Sequence, residues 1–341
     1  MLELDKSKVR FLVTHAMVDE VSGVLDTAFE KITSVVDSMS ARGVDKLFFV
    51  GCGMSKAVGD TSKYLCDKHT EKVSLSMTGW AFVDNPPRAL GAGSAAIFTS
   101  QTGKTEEVVA AMRKCNELGV LTVAVTKDAF GSPLAEEAQF VIDYNGFANW
   151  QCQLLVHYLL VLQLAAKEDT LTKSGQRLLG DLVNLPDVLA YHIKHADADA
   201  MAKAKSVAHW KGFYTVAAGP LLPLAYKEGV ITNMEYLRGH GSVIESGEFR
   251  HGPLEVVEPG VPFVFILGTD SSRHITERAL RFVRRHGTEP LVFDYRECCQ
   301  GLHEDLAPMV MFVPLEWFSY YFALVRNHNP DHRRYHGQVE F

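Results

Sequence analysis

Short apolar segments rich in β-branched residues recur along this chain, and helix-length amphipathic stretches separate most of them. The first series consists of Lys46 to Gly53, Val73 to Met77, Ala95 to Thr99, Leu121 to Val125 and Gln139 to Asp143. Strands that alternate with helices build a parallel sheet with helices on its faces. This rhythm therefore predicts an α/β fold.

A second series repeats the first further along the chain. It consists of Gly212 to Gly219, Ser242 to Ile244, Pro262 to Leu267, Pro290 to Phe293 and Met309 to Val313. Both series open with a strand, a glycine-containing turn and a helix. We therefore expect an internal duplication, with two tandem lobes that are each a parallel sheet flanked by helices.

The remaining segments are predicted to be helical or irregular. Residues 148–208 lack strand signals and are interrupted by Pro186, so at least two helices are expected there. Further helices are predicted over Met17 to Ser40 and over Leu315 to Arg326. The expected domains are an N-terminal helical segment at 1–45, a first lobe at 46–165, connecting helices at 166–208, a second lobe at 209–326 and a C-terminal tail at 327–341.

Charge and cysteine content exclude several classes of function. With 34 Lys and Arg against 41 Asp and Glu, the net charge of −7 disfavours nucleic acid and anionic membranes as partners. The six cysteines show neither metal-ligand nor disulfide spacing, which predicts reduced thiols and no metal site. Residues 1–10 carry five charges, and no apolar run is expected to reach the about 18 residues of a membrane span, so we expect a soluble, cytoplasmic protein.

Two polar loops follow strands of the first series. In Gly51 to Lys56 a strand meets a helix, so backbone N–H groups and the helix dipole favour an anion, to which Ser55 adds a hydroxyl. The loop matches neither the Walker sequence nor the full GxGxxG fingerprint, which disfavours an ATPase or a dinucleotide enzyme.

The second loop, Ser100 to Glu107, places three hydroxyls, an amide and a glycine at the carboxyl end of a predicted parallel strand, where ligands of open α/β sheets lie. A helix capped by Thr102 or Thr105 would explain the same residues, and a capped helix start also attracts anions. We predict that a phosphate is bound by Ser55, Ser100, Gln101, Thr102 and Thr105.

Two residues of the second series carry titratable groups suited to proton transfer. The stretch Leu224 to Leu237 predicts a helix that carries Glu235, and the segment Ser246 to Pro253 carries His251. The buried face of that helix is expected to be Ala225, Val230, Met234 and Leu237. A helical Glu is more often a solvated surface residue, and a His before Gly-Pro can simply orient a turn. Because two predicted phosphate loops precede them in the chain, Glu235 and His251 together favour acid–base catalysis on a sugar phosphate.

These motifs resemble the sugar isomerase (SIS) family in its two-lobed form, over nearly the whole chain. The isomerase half of glucosamine-6-phosphate synthase has a Ser-Gln-Ser-Gly-x-Thr phosphate loop, a helical catalytic Glu, and a Gly-Glu-x-x-His-Gly-Pro loop whose His acts in ring opening. Here Ser100 to Thr105, Glu235 and Gly247 to Pro253 match those motifs, with Thr102 replacing the second Ser. The resemblance implies two tandem SIS lobes.

Other features are closer to the fructosamine-6-phosphate deglycases of that family. These features are Met234-Glu235, Ser246 to Pro253, Arg333-Arg334-Tyr335 and Val339-Glu340-Phe341. The deglycases cleave 6-phosphorylated Amadori compounds, so the resemblance implies release of glucose 6-phosphate and a free amine or amino acid. It also implies that no cofactor is needed, and that the protein is a homodimer or a higher homo-oligomer in which the His251 loop serves the neighbouring subunit.

Two alternatives share this fold. An aldose–ketose or amino-sugar phosphate isomerase would use Glu235 and His251 for the same proton shift, without loss of an amine. A non-catalytic sugar-phosphate sensor would have no need of both residues.

The released amine depends on residues beside the reactive loop. Arg250 and Glu245 differ from their counterparts in some deglycases, and they flank the loop with opposite charges. We expect the specificity residues to be Glu245, Arg250, Arg333, Arg334 and Tyr335.

Overall fold

Two parallel sheets organise the structure, a computed structural model that describes residues 1–340. One sheet lies in the N-terminal unit, residues 16–186, and the other in the C-terminal unit, residues 1–15 and 187–340. The predicted α/β class, with two parallel sheets flanked by helices, is confirmed.

The N-terminal unit contains a five-stranded sheet. Its strands are β1 Lys46–Gly51, β2 Val73–Met77, β3 Ser94–Thr99, β4 Leu121–Thr126 and β5 Phe140–Asp143. All are parallel, in the order β2-β1-β3-β4-β5. From β1 the chain adds β2 on one side and β3 on the other, so the strand order reverses between β1 and β3. Ligands of open α/β sheets bind outside such a reversal.

Helices cover this sheet. They are α1 Thr14–Ala41, α2 Met54–His69, α3 Gly79–Asp84, α4 Glu106–Glu117, α5 Pro133–Glu137, α6 Asn149–Lys167 and α7 Lys173–Asp181. Every residue of β3 and β4 is buried, as expected for strands covered on both faces. One hydrophobic core joins Phe48 and Phe98 of the sheet to Val108 and Met112 of α4.

The C-terminal unit repeats the pattern with four parallel strands. These are β6 Tyr214–Ala217, β7 Ser242–Glu245, β8 Phe263–Leu267 and β9 Leu291–Asp294, in the order β7-β6-β8-β9. The order again reverses beside the first strand of the unit, here between β6 and β8. The helices are α8 Leu185–His195, α9 Asp197–Ser206, α10 Leu222–Tyr226, α11 Arg273–His286, α12 Ala307–Val310 and α13 Phe312–Val325.

The prediction of a fifth strand over Met309 to Val313 is wrong, because this segment lies in α12 and α13. Periodicity cannot separate a short buried strand from part of a buried helix, and here the apolar run continues to Val325. The helical stretch Glu304–Val325 is also long and apolar enough to cross a membrane, so the expectation that no run reaches that length is wrong. Since 89% of the apolar window in this stretch is buried, it is typical of a core helix.

The helices between the lobes are more numerous than the minimum expected. The stretch 148–208 contains α6, α7, α8 and α9. Pro186 lies in the first turn of α8, where its missing N–H removes no helical hydrogen bond. Proline therefore marks the start of this helix.

Candidate functional site

The two polar loops of the N-terminal unit lie side by side. Gly51 and Thr99, the last residues of β1 and β3, are register partners, so the loops that follow them leave the same edge of the sheet. Gly53 takes φ +56° at the start of α2, a conformation that favours glycine. Ser55 is buried in the first turn, and its hydroxyl donates to Gln153 Oε1 at 3.2 Å. Donation from Ser55 to a phosphate oxygen would require this hydroxyl to rotate away from Gln153.

Each hydroxyl of the second loop makes a hydrogen bond within the loop. Ser100 Oγ lies 2.9 Å from Thr105 Oγ1, and Thr102 Oγ1 accepts from the backbone N–H of Lys104 at 3.3 Å. Thr105 occupies the N-cap position of α4, but its hydroxyl turns toward Ser100 instead of capping the helix. The capping interpretation therefore does not explain Thr105, and the loop presents a preformed group of hydroxyls at a helix N-terminus.

Backbone contacts hold this loop in one shape. Gly103 takes φ +62°, and a Cβ there would lie 2.1 Å from Ser132 Oγ. The carbonyl of Gln101 accepts from Lys127 N at 3.1 Å and from Thr126 Oγ1 at 3.2 Å. The loop is thus fixed to the end of β4, which reduces the ordering required when a ligand binds.

A neutral histidine that the sequence did not reveal supports the same loop. His157 of α6 is fully buried, and burial lowers its pKa to about 3. Ser62 Oγ donates to Val58 O at 2.7 Å, so it accepts from His157 Nδ1–H at 2.7 Å, and Nε2 accepts from Thr99 Oγ1 at 2.9 Å. This chain of bonds connects α6 and α2 to the residue directly before Ser100.

Glu235 lies on a π-helix, whose turns are wider than those of an α-helix. After α10, residues Lys227–Tyr236 form a π-helix, in which hydrogen bonds run from i to i+5. The hydroxyl of Thr215 in β6 donates to Ala225 O at 2.7 Å, an acceptor that an α-helix would use for Gly229 N–H. A side chain inserted into the ladder in this way opens the helix, and such wide turns often occur at functional sites.

The wide winding also changes which residues are buried. Ala225 and Leu237 are buried as predicted, whereas Met234 is 46% exposed, so its assignment to the buried face is wrong. A face defined by 3.6 residues per turn does not apply to i→i+5 winding.

The C-terminal tail contacts Glu235 directly. Arg333 Nε donates to Glu235 Oε1 at 3.0 Å, and the Arg333 guanidinium lies 3.3 Å over the ring of Tyr236. Asp331 fixes the tail by accepting from the backbone N–H groups of Arg10 and Phe11, each at 2.8 Å. The structure therefore brings the predicted residues Glu235 and Arg333 together, with the carboxylate held in one orientation.

His251 lies in an exposed loop packed against α11. Its backbone N–H donates to Glu248 O at 2.9 Å, and Ser246 Oγ lies 2.9 Å from Thr276 Oγ1 of α11. Gly252 takes φ +126°, which a residue with a Cβ rarely adopts. A cavity of about 700 Å³ between this loop and α11 is lined by His251 and Arg250, among others.

The other predicted specificity residues make fewer contacts. Arg334 lies 6.0 Å from the ring of Tyr335, which is 65% exposed, and Glu245 is exposed at the end of β7. Phe341 lies outside the described residues. Among residues 1–340, no group of three or more His, Cys, Asp or Glu side chains is arranged to hold a metal ion.

Comparison with known proteins gives consistent matches. The SIS domain family matches residues 42–167. Fructoselysine 6-phosphate deglycase of Escherichia coli (strain K12) is 45% identical over 337 residues, covering 99% of this chain and 98% of that protein. Fructosamine deglycase FrlB of Bacillus subtilis (strain 168) is 31% identical over 324 residues, covering 91% of this chain and 97% of that protein.

Solved structures share the fold. A Bacillus subtilis protein described provisionally as a phosphosugar isomerase has a TM-score of 0.84 at 29% identity, covering 95% of this chain and 100% of that one. The C-terminal domain of glucosamine-fructose-6-phosphate aminotransferase from Francisella tularensis has a TM-score of 0.83 at 18% identity, covering 94% and 97%. The second likeness concerns the fold alone.

Proposed function

This chain belongs to the SIS family, in the group of the fructoselysine 6-phosphate deglycases, and we propose that it hydrolyses 6-phosphorylated fructosyl amines to glucose 6-phosphate and an amine or amino acid. The observation that carries the proposal is the contact of Glu235 with Arg333. Glu235 is the helical carboxylate that this chain shares with the sugar isomerases, and Arg333 belongs to the tail in which the chain resembles the deglycases. The contact brings these two features together.

Substrate binding in this proposal rests on the phosphate group. Ser55, Ser100, Gln101, Thr102 and Thr105 would bind the phosphate through neutral donors and helix N-termini. Because the phosphate is remote from the reacting carbons, it supplies binding energy in both the ground state and the transition state.

The chemistry then needs two proton-transferring groups. His251 would move the proton of the anomeric hydroxyl and open the furanose ring, exposing the C2 carbonyl. Glu235 would take a proton from C1 to give an enaminol, which accepts a proton at C2 and becomes an imine at C1. Water adds to this imine, and the C1–N bond breaks to release the amine and glucose 6-phosphate.

Several finer assignments belong to the same proposal. We place the enzyme in the cytoplasm as a hydrolase that is a homodimer or a higher homo-oligomer, and we assign amine selection to Glu245, Arg250, Arg333, Arg334 and Tyr335. An isologous two-fold interface would let the His251 loop of one subunit serve the site of the other.

A panel of 6-phosphofructosyl amino acids tests the proposal, with glucose 6-phosphate followed by a coupled dehydrogenase. Glu235→Gln should retain less than about a tenth of the wild-type kcat, because the amide keeps the shape of the carboxylate but is not a base. Glu258→Gln is the matched control, since Glu258 is exposed in the loop before β8.

Three results would contradict the proposal. Equal loss of activity in both variants would remove Glu235 from the proton transfer. Equal turnover of unphosphorylated and phosphorylated fructosyl amines would remove the phosphate assignment, whereas interconversion of glucose 6-phosphate and fructose 6-phosphate without turnover of any fructosyl amine would identify an isomerase.

A further inference from the structure

The cavity beside His251 is strongly cationic. Thirteen residues line it, of which four are arginines, two are histidines and none is Asp or Glu. The arginines are Arg250 of the loop and Arg278, Arg281 and Arg285 of α11. This concentration of positive charge occurs in a protein whose net charge is −7.

Three arginines of α11 that line the cavity lie on one face of the helix. Arg278, Arg281 and Arg285 are spaced three and four residues apart, so they share one face, while Leu280 and Val283 are buried in the core of the unit. Like charges at this spacing repel one another and destabilise a helix. Helix stability therefore does not explain why these arginines lie on one face.

The other two arginines of α11, Arg273 and Arg284, have carboxylate partners. Arg273 pairs with Glu277 at 2.7 Å and with Asp294 at 2.6 Å, and Arg284 pairs with Glu289 at 2.8 Å. Within residues 1–340, by contrast, the four arginines of the cavity make no ion pair. Carboxylates are thus absent where the arginines converge, as expected for a site that receives an anion from outside.

We propose that this cavity binds the carboxylate of the amino acid portion of the substrate. The proposal rests on the proposed function, which places His251 at the reacting end of the sugar. Guanidinium groups match carboxylates in geometry and form strong paired hydrogen bonds with them. Phe249, Leu254 and Phe282 also line the cavity and supply apolar surface for the methylene groups between the nitrogen and the carboxylate.

The proposal holds whether His251 acts in the site of its own subunit or in that of a neighbouring subunit. His251, Arg250 and α11 belong to the same unit, so the cavity accompanies His251 whether this histidine serves its own subunit or a neighbour. The new assignment is therefore the position in the fold at which the carboxylate of the substrate is bound.

A matched pair of substrates tests this inference. One is 6-phosphofructosyl-lysine, joined through its side-chain nitrogen, and the other is 6-phosphofructosyl-cadaverine, which differs only in lacking the α-carboxylate. The wild-type kcat/KM should be about tenfold or more higher for the lysine compound, since hydrogen bonds between charged groups contribute at least that factor. Arg278→Gln and Arg281→Gln should lower it on the lysine compound far more than on the cadaverine compound.

Arg284→Gln is the control on the same helix, because Arg284 does not line the cavity and pairs with Glu289. This variant should keep the wild-type preference for the lysine compound. Equal kcat/KM for the two compounds in the wild type, or equal losses on both in Arg278→Gln and Arg281→Gln, would overturn the inference while leaving the deglycase proposal intact.

Binding measurements separate the two proposals if turnover fails. Release of amine from neither compound would contradict the proposed function. In that case tighter calorimetric binding of the lysine compound, lost in Arg278→Gln but kept in Arg284→Gln, would still support the cavity assignment. Equal binding of the two compounds would overturn it.

Discussion

Acidification should weaken the N-terminal unit through one residue, His157. Its pKa is 6.5 when unperturbed and about 3 when buried in the folded protein. Because the folded pKa is depressed, the unfolded chain binds more protons between these values, and stability is complete above pH 6.5 and falls as the pH drops toward 3. At pH 4.5 the loss relative to pH 7.5 should be about 3 kcal/mol.

The perturbation that isolates this effect is His157→Gln, which retains one donor and one acceptor near Ser62 and Thr99 but does not titrate. The free energy of unfolding by urea is measured for both proteins from pH 4.5 to pH 7.5. The variant should be less stable at pH 7.5, and the difference between the two proteins should shrink by about 3 kcal/mol at pH 4.5.

A difference in unfolding free energy that stays constant with pH would refute this reasoning. It would mean that His157 is not held neutral by burial. Since His157 supports the residue before Ser100, the variant should also raise KM for a phosphorylated substrate at pH 7.5, where both proteins are folded.

Three further outcomes are expected. Gly103→Ala should destabilise the protein by about 1–3 kcal/mol more than Gly43→Ala in urea unfolding, because both glycines take φ +62° but only at position 103 would a Cβ clash, 2.1 Å from a serine hydroxyl; equal costs would contradict this. Burial raises the pKa of Glu316 to about 8, so its contribution is full below pH 4.5 and is lost as the pH rises through 8, and Glu316→Gln should raise Tm relative to wild type more at pH 8 than at pH 5; a pH-independent difference in Tm would contradict this. Mixing inactive Glu235→Gln chains with inactive His251→Ala chains should restore up to about a quarter of wild-type activity if each site combines two subunits; no recovery after verified exchange would assign both residues to one chain.

Much of the fold could be predicted because strand signals are local. Runs such as Leu121 to Val125 match the observed strand to within a residue, and the turns after β1 and β3 are visible as Gly- and hydroxyl-rich sequence. The strand predicted over Met309 to Val313 is wrong because the signal there is not local. Only a longer stretch of sequence distinguishes a buried helix from a buried strand.

Features that depend on distant contacts could not be predicted. The wide helix that carries Glu235 depends on a hydroxyl of Thr215 in a neighbouring strand. The support of Thr99 by His157 joins residues 58 positions apart, and the absence of ion pairs around Arg278 becomes visible only once the partners of Arg273 and Arg284 are known. These are tertiary properties that no local sequence pattern encodes.

The most direct test of the central claim is the stoichiometry of products from 6-phosphofructosyl-lysine. Glucose 6-phosphate is measured with a coupled dehydrogenase and free lysine by chromatography in the same sample. Hydrolytic deglycation predicts that the two appear at equal rates, and that neither appears with Glu235→Gln. A rearranged product that retains the lysine, or lysine release that persists in Glu235→Gln, would contradict the proposed reaction.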